Sequence, residues 1–271
     1  MRWALVVLAG LLATGAHAQG QPQALHGLQT ADDAAGWEAV GRLDIDGKGF
    51  CTGALISETL VLTAAHCLFD RDTGAPVDAG RVEFLAGLRN GQALAYRTVR
   101  RAVVHPAYRF APEASAEESR VDVALLELAQ PIRSTQVTPF ETAGAVHAGA
   151  QVGVVSYAVD RAEVPSRQDG CGVLGEEAGV LVMDCEVDFG SSGAPVFLTE
   201  GGVARIVSVI SAKGELDGRR VALGTTLARP LAELREAFAA GEGPAALPEV
   251  RRLSPGERAD TGARFVRVEA P

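Results

Sequence analysis

From Trp37 onward the chain is a succession of short stretches in which apolar and polar residues alternate, about 8–12 residues apart. Such alternation puts every second side chain on one face, the pattern of a half-buried strand. "EAVGRLDIDGKGFCTGALIS" reads as two strands around an Asp46-Gly47 turn, and "ETLVLTAAHCLF" as a strand entering a short helical turn. "RVEFLAGL", "LAYRTVRRAVVHP" and "VDVALLELAQPI" continue the style, with Pro131 ending the last and "EASAEESR" read as an acidic loop. "AQVGVVSYAV", "GVLVMDCEV", "APVFL", "ARIVSVISA" and "RVALGTTLA" follow. So many strands without interleaved helices exclude βαβ units and predict an all-β barrel or sandwich. Only "RPLAELREAFAAG" has helical spacing, started by Pro230 and stopped by Gly241. The 31 glycines and 13 prolines suit such a turn-rich chain, and 47% apolar residues suffice for a sizeable core.

The first 18 residues set the compartment. Arg2 precedes a short apolar run, Ala4 to Ala13, and Ala16 to Ala18 fit a small-residue cleavage site before Gln19. The run is too short to span a bilayer comfortably, so no stable membrane anchor is expected after cleavage. Residues 19–36 read as a leader or propeptide, and 241–271 as a tail of no assigned role in which "ARFVRVEA" reads as a last strand. The net charge of −9, with no basic cluster larger than a pair, argues against nucleic acid as the partner. Four cysteines fit an oxidising compartment, secreted or periplasmic. Sequential pairing, Cys51-Cys67 and Cys171-Cys185, is the simplest of three connectivities, since each pair brackets one candidate catalytic segment. No CxxC or HxxxH spacing supports a metal site.

Three segments carry chemistry. His66 sits where a strand ends beside Cys67, and a general base needs an imidazole fixed in direction and partly exposed. Asp122 opens the apolar run "VDVALLEL"; a carboxylate there must be hydrogen-bonded, and orienting a histidine is one way to satisfy it. "DFGSSGAPVF" holds Ser191 and Ser192 between two glycines. A glycine two residues before a nucleophile lets backbone amides turn towards a developing oxyanion. That reading makes Ser192 the nucleophile, the Gly190 and Ser192 amides the oxyanion hole, and Ser191 a residue pointing into the fold. Taken singly, each segment also has a plain structural reading: a packed histidine, a turn-capping aspartate, a Ser/Gly-rich turn.

Together and in this order, "CTGALISETLVLTAAHC", "HPAYR…VDVALLEL" and "GSSGAPV" resemble the chymotrypsin-like (trypsin fold) serine peptidases. The family's TAAHC motif matches Thr63 to Cys67, its D-I-A-L-L strand Asp122 to Leu126, and its G-D-S-G-G-P motif Gly190 to Pro195. The resemblance covers roughly residues 37–240. It implies two antiparallel six-stranded β-barrels, about 37–135 and 136–228, followed by a helix at 229–240. It also implies a Ser-His-Asp endopeptidase with its site between the barrels, acting on protein or peptide substrates, without a cofactor, as a monomer. Two departures stand out: Ser191 replaces the family's usual Asp, and no I-V-G-G start precedes Trp37. Both make the chain similar to the bacterial glutamyl endopeptidase (V8-like) group and set animal-type activation in doubt.

Counting from Ser192 by that resemblance assigns the substrate pocket to Glu186, Ser211, Ala212 and Lys213, with Ser211 matching the serine that hydrogen-bonds the catalytic Asp. Glu186 facing the pocket implies basic P1 residues (the residue before the scissile bond), and Lys213 facing it implies acidic ones. An acid and a base in one pocket would also partly cancel, and small or apolar P1 residues are the third alternative. A non-catalytic homologue acting as a secreted binding module is the alternative of another class, although no triad position is replaced. An esterase is the other, against which the chain lacks the strand–elbow–helix pattern of α/β-hydrolases.

Overall fold

Asp46 and Gly47, both in the left-handed region at φ 54° and 65°, make the first hairpin, and the Lys48 amide closes it onto the Ile45 carbonyl. Two such residues in succession match the twist of the flanking strands, and Asp-Gly tolerates them. The computed structural model describes residues 24–111, 115–144 and 146–243. Strand β1 (His26–Gly27) and a one-turn helix α1 (Ala31–Ala34) come first. Six strands then follow: β2 (Val40–Ile45), β3 (Gly49–Ser57), β4 (Leu60–Thr63), β5 (Val82–Ala86), β6 (Ala95–Val104) and β7 (Ala124–Leu128). They close an antiparallel barrel in the order β2-β3-β4-β7-β6-β5. A second one-turn helix, α2 (Ala116–Ser119), lies between β6 and β7.

The second half contributes β8 (Gln151–Ala158), β9 (Arg161–Glu177), β10 (Val180–Met183), β11 (Pro195–Glu200), β12 (Val203–Leu216) and β13 (Arg219–Thr226). Their antiparallel pairings run β8-β9-β10-β13-β12-β11 and return to β8, a ring of six. Helix α3 (Ala228–Ala239) ends the described fold with Leu231 and Leu234 buried. Among the described residues no helix is long and apolar enough to cross a membrane.

The longest strand, β9, is absent from the sequence reading. Its sequence "RAEVPSRQDGCGVLGEE" breaks alternation with Pro165 and three glycines. Pro165 is tolerated because it lies in a register irregularity between the pairs Ser156↔Ser166 and Ala158↔Arg161, where no ladder donor is needed. Part of the segment read as a leader or propeptide, residues 19–36, is docked on the fold. Residues 19–23 lie outside the described residues, but from Ala24 on the chain is seated on the second barrel. β1 pairs with β9 at Ser166 and Arg167, the Leu28 amide donates to the Pro165 carbonyl, and the Leu28 side chain is buried. Burying such a side chain contributes roughly 1.5–3 kcal/mol, enough to hold a short segment down.

The larger apolar core fills the first barrel and continues across the seam to Tyr157, Phe197 and Val209 of the second. Phe197 meets Trp37 at 5.0 Å and Phe140 at 4.7 Å, and the Tyr157 hydroxyl donates to the Leu88 carbonyl across the same seam. The second barrel keeps a smaller core around Leu181, Met183 and Val196. The barrels therefore dock through apolar packing, which leaves polar side chains at the edge of the seam free for a site.

Candidate active site

The pairing of β4 with β7 brings the first two candidates together. Thr63 is opposite Ala124, so the chain leaving β4 and the chain entering β7 lie side by side. His66 follows in a 3₁₀ turn, Ala65–Leu68, pinned by a Cys51–Cys67 disulfide to β3. Asp122 is 3% exposed. Its Oδ1 accepts the His66 backbone N–H at 2.9 Å, and its Oδ2 lies 2.7 Å from His66 Nδ1. An ionised carboxylate only accepts, so Nδ1 carries the proton and Nε2 is left with its lone pair.

A third donor comes from the other barrel. The register of β12 against β13 shifts between Ile210 and Ala212, and Ser211 is the residue at the shift. A bulge re-aims its side chain; the Ser211 hydroxyl donates to Asp122 Oδ2 at 2.6 Å. Behind it stands a support the sequence reading missed. Ser119 Oγ lies 3.2 Å from Ser211 Oγ, and the Thr225 hydroxyl donates to the Ser119 carbonyl. Ser119 ends α2, in the segment read as a loop. Its Ser115 cap and Glu118 form a reciprocal capping box, and the spacing Ser-x-x-Glu was the signal for it. Three hydrogen bonds to one buried carboxylate offset its desolvation and fix the imidazole plane.

The turn Gly190-Ser191-Ser192-Gly193 enters β11 from the second barrel. Ser191 is fully buried, its Oγ 3.2 Å from Ser156 Oγ and accepting the Asp188 amide at 3.3 Å. Ser192 is half-buried and lines the same cavity as His66. No hydrogen bond joins Ser192 to His66 among the described residues, and such bonds commonly tighten only when substrate is bound. The Gly193 amide is taken by the Ile210 carbonyl and the Ser191 amide by the Asp188 carbonyl. The Gly190 and Ser192 amides have no acceptor among the described residues.

Both glycines are required by space as well as by φ (97° and 80°). A Cβ on Gly190 would lie 2.4 Å from the Phe50 ring, and one on Gly193 2.1 Å from Thr63 Oγ1 and 2.2 Å from the Thr52 carbonyl. Gly193→Ala is therefore expected to destabilise the protein by on the order of 4 kcal/mol. Urea unfolding checks this, and an unchanged midpoint would refute it.

His66 and Ser192 open on a cavity of about 290 Å³, walled beside the serine by residues 187–189 and 210–213 and on the other side by Tyr108 and Phe110. Of the residues counted into the pocket, Ser211, Ala212 and Lys213 line it. Glu186 is exposed, held through its amide by Gln168 Oε1, and is not on the wall. Two residues on, Asp188 is on the wall, 2.9 Å from Lys213 Nζ. That hydrogen bond, then the Phe189 amide, hold the Asp188 carboxyl below the usual carboxylate range. A second cavity of about 480 Å³ lies on the far side of His66 and shares Arg71 and Phe189 with the first. Cys171 and Cys185 are also disulfide-bonded. The one group of three metal-ligand residues among those described, Cys51, His66 and Cys67, has both sulfurs in the disulfide.

A family model for the trypsin-like peptidase domain matches residues 51–204, more than half the chain. Among solved structures, that of a Glu endopeptidase in complex with MPD superposes with a TM-score of 0.65 at 18% identity, covering 80% of this chain and 97% of that one. The chain thus belongs to the trypsin-like peptidase domain family, on a chymotrypsin-like fold of two packed β-barrels.

Proposed function

We propose that the protein is an exported serine endopeptidase that cleaves peptide bonds through an acyl-enzyme on Ser192. The observation that carries this is the juxtaposition of an oriented His66–Asp122 pair with a serine turn whose Gly190 and Ser192 amides are unclaimed. Ser192 Oγ attacks the scissile carbonyl while His66 Nε2 takes its proton. Asp122 stabilises the imidazolium that forms, and His66 returns the proton to the leaving amine. The two amides receive the oxyanion, each worth about 3–4 kcal/mol in measured cases. Water then repeats the sequence on the ester.

An extended substrate has a strand to lie on. β12 pairs with β11 only as far as Val209, whereas its other edge continues against β13 to Leu216. The edge at Ser211–Lys213, which no strand pairs with on that side among the described residues, lines the cavity and offers main-chain hydrogen bonds to a peptide. Export rests on the N-terminal 18 residues, which lie outside the described residues, and is supported by two disulfides.

The test is a labelled fluorophosphonate on the chain beginning at Gln19, followed by peptide mapping of the adduct. One label on Ser192 supports the proposal; an unlabelled, folded protein sinks it. Because Glu186 is off the cavity wall, Glu186→Ala is expected to leave the P1 preference unchanged within about twofold, near the limit of a surface substitution. A P1 profile that shifts by more than this in a P1-varied peptide panel would contradict that.

A further inference from the structure

The cavity beside Ser192 carries its own neutralising ion pair. Lys213 Nζ lies 2.9 Å from Asp188 Oδ1 and 4.2 Å from the centre of the Phe189 ring. The pair bridges the two chain segments that form this wall, one leading into the nucleophile turn and one leaving the Ser211 bulge. Both side chains are about half exposed, so the pair contributes little to stability. Its effect is on which side chains enter. The wall around it is apolar, with Val187, Phe189, Ile210 and Ala212. Of the other charges on the cavity, Arg71 and Glu118 are of opposite sign, and Asp122 is engaged by His66 and Ser211.

A charged P1 side chain of either sign would find its counter-ion already engaged and a like charge beside it. It would lose water and gain no net partner, whereas an apolar side chain would lose nothing. From this we infer that Asp188 and Lys213 cancel one another at the P1 site, so that it takes uncharged, mainly apolar P1 residues in preference to acids and bases, and that these two residues together set the specificity. Each member also masks a latent preference: Asp188 for bases, Lys213 for acids. The inference rests on the serine-peptidase reading above.

The experiment uses peptides identical except for Leu, Glu or Arg at P1. They are given to the wild-type protein, Lys213→Gln, Asp188→Asn and the double variant, with active sites counted by fluorophosphonate titration. Asn at 188 keeps an oxygen for the Phe189 amide, now held by Asp188 Oδ1, and so preserves the turn. Wild type is expected to favour Leu over Glu and over Arg by about tenfold or more. Lys213→Gln raises the Arg:Leu ratio of kcat/KM by about tenfold, and Asp188→Asn raises the Glu:Leu ratio similarly. The double variant returns both ratios to within about threefold of wild type, which a merely structural role for either residue would not produce. A wild-type preference for a charged P1 residue, or titratable variants with unmoved ratios, overturns this inference alone. Failure of every form, wild type included, to titrate or cleave overturns the serine-peptidase reading and this inference with it.

Discussion

Ser192→Ala is expected to lower kcat by about 10⁶-fold, as loss of a serine nucleophile does in measured hydrolases, and to abolish fluorophosphonate labelling. Ser192 makes no side-chain hydrogen bond within the described residues and is only half-buried, so stability should stay within about 0.5 kcal/mol of wild type. Ser191→Ala gives the opposite pattern. It removes the acceptor of the Asp188 amide and the partner of Ser156 in a fully buried setting, costing about 1–3 kcal/mol, yet it keeps labelling. Thermal unfolding and labelling of the two variants side by side decide the assignment. Labelling that survives in Ser192→Ala, or disappears from folded Ser191→Ala, would reverse it.

Asp122→Asn should lower kcat by about 10⁴-fold near neutral pH without unfolding the protein. The two carboxylate oxygens are not equivalent. Oδ1 faces the His66 backbone N–H, which can only donate, so the amide oxygen of Asn must take that position. Its NH₂ then faces His66 Nδ1 and donates to it. The imidazole proton is driven to Nε2, and the base that should accept the Ser192 proton is already occupied. Ser211 adapts by rotating its hydroxyl from donor to acceptor, so the fold survives. The loss should fall on kcat, with KM changed little. A loss of less than about tenfold would mean that Asp122 does not set the tautomer.

Where local pattern and fold agree, the sequence was readable. Alternation and the Asp46-Gly47 turn gave most strands, and the apolar run after Asp122 marked a buried carboxylate in need of partners. The contact of His66 with Asp122 then follows from a single pairing, β4 with β7. What escaped depends on irregularity. β9 closes the second ring but contains a proline and three glycines, so its strand character comes from neighbours on both edges and not from its own residues. Ser119 contributes through a one-turn helix announced only by Ser115 and Glu118. Counting back from Ser192 chose Glu186 over Asp188, because the segment after Cys185 belongs to no strand and has no period from which to infer side-chain direction. Asp188 becomes visible only once Lys213 is brought opposite it by β12.

Thr52 belongs to β3 of the first barrel, yet its amide donates to the Ser192 carbonyl and its hydroxyl to the Gly190 carbonyl, both at 2.8 Å. Its own carbonyl accepts the Thr63 hydroxyl, and Gly193 packs against both groups. One buried residue thus clamps both ends of a turn carried by the other half of the molecule. The two halves look like copies that could be exchanged between relatives, each with its own ring of strands. The clamp forbids free exchange: a barrel taken from a relative would bring a nucleophile turn fitted to a different partner. At this seam the two halves are therefore fitted to each other, through Thr52 and the turn it holds.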